Sequence, residues 1–376
     1  MFYTVFALLL IVAVSGFPAA SLAGKRIPVV RSTYKSNPAL VRRITGETPA
    51  PLTSDYSGYL GPVTIGCTTF PLLLDTGSND LWVYSIFMDD VPPGELVYDP
   101  KTGTATGDKF SIQYLSSSTD GVVYLDTVSF ADFKFRKQAV GAATHGGGAM
   151  LPDGASGILG LGTGSFPVLP AGSFPTILDV LASSGELDEN VFTVALMRPN
   201  EPQSFFTFGY IDKDLLGGAR PVYTHVNTTD GHWEFASEYT IVNGQKICRQ
   251  GNTATADTGT TLILLDPDVL PTIYKPLKGT LDSGSGQWII PGDIPLSEYP
   301  TITLFAGDVG ITLPPEDLRF VQLSDGNYVG SIQSRGDNVD TDIFGDYWLR
   351  NTYAIHRFGT AAKDFKFGVV QRKPIQ

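Results

Sequence analysis

The sequence of 376 residues is 42% hydrophobic and 17% charged, which is enough apolar material for two domains with cores of their own and excludes a small peptide or an acidic tail. Its 41 glycines and 26 prolines follow no three-residue period, so a collagen is excluded and a chain of many turns and short strands is expected. The formal net charge of −12 comes from 38 acidic residues that all follow residue 46, and a surface so negative disfavours nucleic acid as a partner.

The first 23 residues carry no charged side chain. Residues 2–14 are nearly all apolar and are followed by small residues up to Gly24, which is typical of a secretory signal peptide cleaved near Ala20 or Ala23. A short membrane anchor is the alternative, although the stretch is too short to span a bilayer comfortably. No later segment is apolar for long enough to be an anchor, so we expect a protein that is secreted or delivered to a vacuole-like compartment.

Residues 24–46 hold six basic side chains and no acidic one, with dibasic pairs at Lys25-Arg26 and Arg42-Arg43. This pattern predicts a removable pro-segment, which opposite charges hold on the acidic body and which acid loosens by protonating the carboxylates. An unstructured basic tail is the alternative interpretation.

The rest of the chain predicts a mainly β protein with a few short helices, because apolar and polar residues alternate in short runs that end at Gly, Asp or Pro. The predicted strands cover residues 59–65, 110–114, 122–130, 192–197, 205–210, 233–242, 301–305, 327–332, 352–358 and 365–370. Helical patterns are limited to residues 174–183, after a cap at Ser173, and to residues 266–277.

An internal repeat is the most informative feature of the sequence. The run Asp75-Thr76-Gly77-Ser78 recurs 182 residues later as Asp257-Thr258-Gly259-Thr260. Each copy is followed by two apolar residues and a glycine, which end at Gly160, 85 residues after Asp75, and at Gly345, 88 residues after Asp257. A single Asp-x-Gly is ordinary turn chemistry, but two coupled pairs at matched spacing predict two similar lobes.

If a pseudo-twofold axis brings the two loops together, Asp75 and Asp257 share one site. Two like charges at hydrogen-bonding distance resist joint ionisation, so the pair keeps a single proton over an acidic pH range. One acid and one base then lie side by side, and together they can activate a water while they protonate a carbonyl oxygen. We therefore predict a hydrolase that cleaves peptide bonds with these two catalytic residues.

The neighbouring residues suit the same task. Glycines after the aspartates let the backbone approach closely, the threonines can bond across to the opposite loop, and the following hydroxyls can donate to the carboxylates. These supporting residues are Thr76, Gly77, Ser78, Thr258, Gly259 and Thr260. Local turn bonding alone is the alternative role for their hydroxyl groups.

These motifs resemble the pepsin-like family of bilobal aspartic endopeptidases over residues 59–370. Residues 73–83 (LLDTGSNDLWV) and 256–261 (ADTGTT) are similar to the two active-site motifs of that family. Residues 157–162 (GILGLG) and 342–346 (DIFGD) are similar to the elements that support them. The resemblance implies two β-lobes around a cleft, an N-terminal lobe at 47–200 and a C-terminal lobe at 201–376.

The resemblance also implies how the protein works. We expect a monomer, made as a zymogen with its own pro-segment as a partner, that binds polypeptide substrates in extended form and needs no metal or other cofactor. A hairpin flap would close over the substrate, with Tyr114 as its tyrosine, Trp82 as the hydrogen-bonding partner of that tyrosine, and Leu115 and Ser116 at the tip. Lys35 is the candidate for covering the dyad in the zymogen.

Three features depart from the family pattern. The flap tip, residues 115–118, lacks the usual glycines, which makes it stiffer or differently shaped. Only two cysteines are present, Cys67 and Cys248, so one disulfide or two free thiols are expected, and the usual partner position of Cys248 holds Asn252. The pro-segment is short. In addition, Asn227 is a candidate glycosylation site.

Other functions find less support. The four histidines show no metal-binding spacing, and no G-x-S-x-G motif of a serine hydrolase is present. A binding protein with the same fold and an idle dyad is the main rival. A secreted sugar-binding β-sandwich, which would not need both aspartates, is a third alternative.

Overall fold

The structure is a computed structural model that describes residues 24–33, 57–114, 118–146, 151–164, 169, 174–198, 201 and 203–372. The predicted signal peptide and residues 34–46 of the predicted pro-segment lie outside these residues. The described chain is mostly β and is organised in two lobes, which confirms the predicted fold class.

One eight-stranded sheet builds the N-terminal lobe, in the order β2-β3-β4-β9-β5-β8-β7-β6. Its strands are β2 (Val30–Thr33), β3 (Ser57–Ile65), β4 (Thr68–Asp75), β5 (Leu81–Tyr84), β6 (Thr104–Gln113), β7 (Ser118–Phe130), β8 (Phe133–Gly146) and β9 (Gly157–Gly160). The inward face carries Leu, Val and Phe side chains that are almost fully buried. The sheet therefore forms the core of this lobe.

Three smaller sheets build the C-terminal lobe. A five-stranded sheet contains β13 (Glu234–Ala236), β16 (Thr253–Ala256), β25 (Thr341–Phe344), β17 (Ile263–Leu265) and β24 (Ile332–Ser334). A four-stranded sheet contains β15 (Gln245–Cys248), β14 (Tyr239–Val242), β20 (Ile302–Ala306) and β21 (Val309–Leu313). A second four-stranded sheet contains β18 (Thr280–Leu281), β19 (Trp288–Ile290), β23 (Tyr328–Gly330) and β22 (Arg319–Gln322).

A six-stranded sheet contains the first strand of the described chain and the last. In sheet order its strands are β1 (Lys25–Pro28), β11 (Phe205–Phe208), β10 (Val191–Ala195), β26 (Thr352–Arg357), β27 (Lys366–Gln371) and β12 (Val222–His225). The chain passes from β1 in this sheet directly to β2 in the eight-stranded sheet, so residues 25–33 link the two.

The helices are short. The helix predicted at residues 174–183 starts three residues later and ends one residue later than predicted, the helix predicted at residues 266–277 is shorter, and the predicted cap Ser173 lies outside the described residues. Helix α1 (Ile177–Ser184) begins after a Thr176 cap whose hydroxyl accepts from the backbone of Asp179, and α2 spans Leu270–Tyr274. A third helix, α3 (Asp346–Leu349), follows β25 directly. The four 3-10 segments among the described residues are Pro100–Thr102, Leu296–Glu298, Pro315–Leu318 and Ala362–Asp364.

Two predicted strands are each divided in the structure. Residues 233–242 form β13 and β14, which belong to different sheets, and residues 327–332 contain β23 and the start of β24. The buried positions shift from odd to even residue numbers between Ser237 and Thr240, and residues 329–332 are all buried, so apolar-polar periodicity in the sequence does not reveal where the chain changes sheets.

Of the two alternatives for Cys67 and Cys248, the structure has two free and exposed thiols and no disulfide between them. Cys67 lies in the turn between β3 and β4, whereas Cys248 ends β15 in a sheet of the other lobe. Asn252, at the position where the resemblance implies a partner cysteine for Cys248, donates a hydrogen bond to the buried Asp342 at 3.1 Å.

The sequence repeat corresponds to a repeat in the structure. Strand β4 pairs in parallel with β9, which pairs antiparallel with β5. Strand β16 pairs in parallel with β25, which pairs antiparallel with β17. Each aspartate stands at or directly after the end of the first strand of its set, so the same local arrangement presents both carboxyl groups.

Candidate active site

The two Asp-Thr-Gly loops meet back to back between the lobes. The Thr76 hydroxyl donates to the carbonyl of Ala256 at 2.8 Å, and the Thr258 hydroxyl donates to the carbonyl of Leu74 at 2.6 Å. The backbone N–H of each threonine donates to the hydroxyl of the other at 3.0 Å. These buried, reciprocal bonds fix the position of one loop relative to the other, so the two aspartates are placed by a single rigid unit.

Each aspartate receives the same two hydrogen bonds from its own loop. Asp75 accepts from the Gly77 N–H at 2.8 Å and from the Ser78 hydroxyl. Asp257 accepts from the Gly259 N–H at 2.7 Å and from the Thr260 hydroxyl at 2.6 Å. Donors on matching oxygens hold both carboxyl planes, and the two donors to Asp75 act to lower its pKa.

The glycines of the two loops are required by space. A Cβ atom on Gly77 would overlap the carboxyl group of Asp257, and a Cβ on Gly259 would overlap that of Asp75. Any side chain at these positions would therefore push the opposite carboxyl group away.

The two carboxyl groups lie within hydrogen-bonding reach of each other, with Asp75 5% exposed and Asp257 8% exposed. Burial, and after it the charge of Asp257, raises the pKa of Asp75 well above that of an ordinary aspartate. Such a pair holds one proton between its two members, and that proton belongs to the dyad rather than to one residue.

The apolar-Gly elements that follow each loop support it from behind. The Leu161 N–H donates to the Asp75 carbonyl at 2.7 Å, and the Gly162 N–H donates to the Ser78 carbonyl at 2.7 Å. In the other lobe, the Asp257 N–H donates to the Phe344 carbonyl at 3.1 Å. The second element of each repeat thus holds the backbone of the first.

A third carboxyl group, that of Asp346, lies near the dyad and was not predicted from the sequence. Asp346 is fully buried at the start of α3, and neither of its carboxyl oxygens has a hydrogen-bond partner. Burial raises its pKa strongly and the charge of Asp257 raises it further, whereas Arg31 and Arg350 oppose the rise. Asp346 lies within the quoted DIFGD motif, but nothing in the sequence signals that it is enclosed next to two other acids.

Of the four predicted flap residues, the structure describes Trp82 and Tyr114. Strands β6 and β7 form a hairpin, and Tyr114 follows β6 directly. The Trp82 indole N–H donates to the Tyr114 hydroxyl at 2.7 Å. That hydroxyl also lies within hydrogen-bonding reach of Ser78, which itself donates to Asp75. Leu115 and Ser116 lie outside the described residues.

Three of the histidines considered in the sequence lie outside this site. His356 is fully buried in an aromatic cluster, and His145 and His225 are exposed. Within the described parts of the chain, no group of three or more acidic, histidine or cysteine side chains is arranged to hold a metal ion. No helix in those parts is long and apolar enough to cross a membrane.

The predicted glycosylation site follows β12 and forms an isolated antiparallel bridge with Glu234. Asn227 is exposed, and its side-chain oxygen accepts from the Thr229 hydroxyl at 2.7 Å and from the Thr229 N–H at 3.2 Å.

Comparison with known proteins gives a consistent result. Residues 58–367 match the family model described as eukaryotic aspartyl protease. Aspergillopepsin-1 of Aspergillus oryzae is 33% identical over 361 residues, which cover 92% of this chain and 89% of that protein. Aspartic protease pepA of Arthroderma gypseum is 32% identical and covers 82% of this chain and 80% of its own length.

A solved structure shows the same fold. The aspartic proteinase from Irpex lacteus superposes with a TM-score of 0.68 at 21% sequence identity, and it covers 93% of this chain and 98% of its own.

Proposed function

This chain belongs to the eukaryotic aspartyl protease family and is an aspartic-type endopeptidase, and we propose that Asp75 and Asp257 carry out its chemistry. The observation that carries the proposal is the pair of buried carboxyl groups within hydrogen-bonding reach, each held by the same two donors. Because the pair retains one proton in acid, it offers an acid and a base to one substrate.

In the proposed reaction, a water lies between the two carboxyl groups. The ionised carboxylate takes a proton from this water as the water oxygen attacks the carbonyl carbon of the peptide bond. The protonated partner gives its proton to the carbonyl oxygen, and a neutral tetrahedral intermediate forms. Its C–N bond breaks when the amide nitrogen takes a proton from the dyad, and the second carboxyl group recovers the proton of the collapsing hydroxyl.

We propose that the substrate is a polypeptide bound in extended form under the β6–β7 hairpin. The hydrogen bond from Trp82 to Tyr114 and the proximity of Tyr114 to Ser78 support a flap that is connected to the dyad through hydroxyl groups. Closure of such a hairpin excludes water from the reacting groups and completes the site.

We also propose that the protein is a monomer that enters the secretory route and is made as a zymogen. The apolar leader and the basic segment at residues 24–46 support this part of the proposal. In that compartment Asn227 would carry a glycan, since it is exposed and lies in an Asn-x-Thr sequence. Removal of a glycan with an endoglycosidase should lower the mass of the wild-type protein and leave the mass of the Asn227→Gln variant unchanged.

The test of the chemistry is the cleavage of a peptide library at pH 4 and pH 8 by the processed enzyme. We expect much faster cleavage at pH 4, with activity abolished in Asp75→Asn and in Asp257→Asn. The matched control is Asp268→Asn, which changes an exposed aspartate of the same lobe as Asp257. Equal rates at the two pH values, or full activity in either dyad variant, would refute the proposed mechanism.

A further inference from the structure

We propose that an exposed surface on the loop of residues 85–98, which we call the outer loop, binds a segment of the polypeptide substrate apart from the dyad. The segment that fits this surface combines apolar and basic side chains. This inference rests on the proposed function, because it names the class of polypeptide that the enzyme would bind best.

Apolar side chains are exposed together on the outer loop. Four large ones each have more than a third of their surface in solvent, namely Ile86 (51%), Phe87 (44%), Leu96 (44%) and Val97 (38%). In the rest of the described chain such side chains are exposed singly, at positions 30, 222, 281 and 296. A group of exposed apolar side chains marks an interaction site in a soluble protein, whereas single ones do not.

Backbone pairing brings these side chains together. The two ends of the outer loop run side by side, since Ser85 forms a parallel bridge with Tyr98 and the Ile86 N–H donates to the Tyr98 carbonyl at 3.1 Å. The Tyr98 N–H donates in turn to the Tyr84 carbonyl at 2.8 Å. The exposed side chains on the two ends therefore lie beside each other and form one surface.

The outer loop is held firmly against the N-terminal lobe. Met88 is buried and packs in a hydrophobic cluster of that lobe, and the Ser85 hydroxyl donates to the Ala143 carbonyl at 2.6 Å. The Phe87 ring stacks on that of Tyr124 in β7, with the ring centres 6.4 Å apart. Because the surface is already formed, a partner that binds to it has to order few groups of the enzyme, which reduces the entropic cost of binding.

The outer loop is acidic as well as apolar. Asp89 and Asp90 are exposed, and neither forms an ion pair with another described residue. Burial, and after it the charges of Glu95 and Asp90, raises the pKa of Tyr84, so both carboxylates lie near the base of the loop. Residues 85–98 contain no Lys, Arg or His, so the charge of these three acids is not balanced within the loop.

The charges of the outer loop select its partner. The basic residue nearest to it in the sequence, Lys101, already pairs with Asp99 at 2.6 Å. A polypeptide segment with basic and apolar side chains can pair with the carboxylates and cover the apolar surface at the same time. A second copy of this chain fits less well, because a twofold contact through the outer loop brings like carboxylates of the two copies together. An anionic lipid surface is repelled for the same reason.

The outer loop begins at the end of β5 that lies away from the dyad. In β9, Gly160 lies opposite Asp75, whereas Gly157 lies opposite Val83, two residues before the outer loop. Three residues of extended strand separate Gly157 from Gly160 by about 10 Å. A segment bound to the outer loop therefore leaves the dyad free for the scissile bond, and it raises the effective concentration of that bond at the cleft.

The first experiment compares two peptide substrates at pH 5, where ordinary aspartates are ionised. Both contain the same cleavable core, taken from the peptide library, with a flexible linker at one end. In the test substrate the linker leads to a short segment of alternating leucine and lysine, and in the reference substrate to one of alternating serine and glutamine. With the segment at one or the other end of the core, the test substrate should have a KM at least about fivefold lower than the reference and an unchanged kcat, because uniform binding lowers KM alone. Equal KM values for both ends would overturn the proposal.

Variants of the outer loop locate the effect. The double variant Ile86→Ser with Leu96→Ser removes apolar surface and should abolish the KM advantage, whereas Leu281→Ser, at a position that is 53% exposed in the other lobe, should retain it. The double variant Asp89→Asn with Asp90→Asn should reduce the advantage and make the remainder less sensitive to NaCl, since salt screens exposed charges. All variants should cleave the reference substrate at the wild-type rate. A full KM advantage in the double serine variant would overturn the proposal.

A binding measurement separates this proposal from the proposed function. The leucine-lysine segment, labelled with a fluorophore and without any core, is titrated into Asp75→Asn protein and followed by fluorescence anisotropy. Saturable binding that is lost when Ile86→Ser and Leu96→Ser are added would support the proposal, and the absence of binding would overturn it. If the wild-type protein cleaves neither substrate while this binding is observed, the proposed function fails and the binding surface stands.

Other occupants of the outer loop give different results. A dimer in sedimentation velocity that Ile86→Ser and Leu96→Ser dissociate would show that a second copy of this chain covers the surface. Co-sedimentation with phosphatidylcholine vesicles of the wild-type protein, but not of the double serine variant, would show that the surface binds lipid. Either result would overturn the proposal.

Discussion

Replacement of His356 by phenylalanine should make the protein more stable in acid, relative to its stability at neutral pH. The imidazole is fully buried, and neither ring nitrogen has a hydrogen-bond partner. Its ring stacks on Phe192 with centroids 4.3 Å apart, and it meets Trp233 at 4.8 Å and Phe367 at 5.0 Å. Because no carboxylate or hydroxyl faces it, burial lowers the pKa of His356 to about 3.

The size of the effect follows from the two pKa values. In the unfolded chain a histidine titrates near 6.5, so between about pH 6.5 and pH 3 the unfolded state binds a proton that the folded state refuses. The free energy of unfolding is therefore lowered as the pH falls through this window, at about 1.4 kcal/mol per pH unit. At pH 4 this amounts to about 3 kcal/mol, and below about pH 3 the loss stops growing.

The assay is denaturant unfolding at half-unit steps from pH 3 to pH 7, carried out in an Asp75→Asn background so that the protein does not digest itself. A packing penalty from the larger ring is the same at every pH, so the difference between the two curves isolates the proton. The control is His225→Phe, which changes an exposed ring in the same sheet. Parallel curves for His356→Phe and the parent protein would refute this reasoning.

Three further predictions concern the dyad and its surroundings. Gly259→Ala should lower kcat about 100-fold, because the added methyl group displaces the carboxyl group of Asp75. The control Gly284→Ala should leave kcat unchanged, because a Cβ atom has room there. Equal kcat values for the two variants would contradict the steric argument. Thr258→Val should lower the free energy of unfolding by about 3 kcal/mol, since it leaves the Thr76 N–H and the Leu74 carbonyl without their partner. Denaturant titration measures this loss, with Thr312→Val, at an exposed site, as the control variant. Asp346→Asn should flatten the loss of stability as the pH rises above about 4, because the folded protein no longer has to hold this acid neutral. An unchanged melting-temperature profile would show that Asp346 is not the group concerned.

The dyad could be predicted from the sequence because its information is local and occurs twice. Each Asp-Thr-Gly run carries its own donors, and the recurrence at Asp257 reveals the partner of Asp75 without any knowledge of the fold. The bond between Trp82 and Tyr114 could be expected only through the resemblance, since a tryptophan and a tyrosine 32 positions apart are otherwise ordinary core residues.

The parts that could not be predicted depend on contacts between distant segments. Asp346 and Arg31 lie more than 300 positions apart, and no periodicity links them. The pairing of residues 25–33 with two sheets depends on the open edges of β3 and β11, which are known only once the sheets are assembled. For the same reason the sequence did not exclude a disulfide, because the separation of Cys67 and Cys248 is set by the arrangement of the lobes.

The fold itself, besides the proposed dyad chemistry, should make the stability of this protein depend on pH. Asp346 has a raised pKa in the folded state, so the stability associated with its neutral form is present in acid and is lost as the pH rises through that pKa. His356 has the opposite effect, because its lowered pKa removes stability as the pH falls toward 3. Ionisation of the buried Asp346 therefore lowers the free energy of unfolding as the pH rises, and protonation of the buried His356 lowers it as the pH falls. Since both lie in the interior on which the six-stranded sheet and α3 depend, removal of either group should widen the pH range of stability at one end without altering the hydrogen bonds that position Asp75 and Asp257.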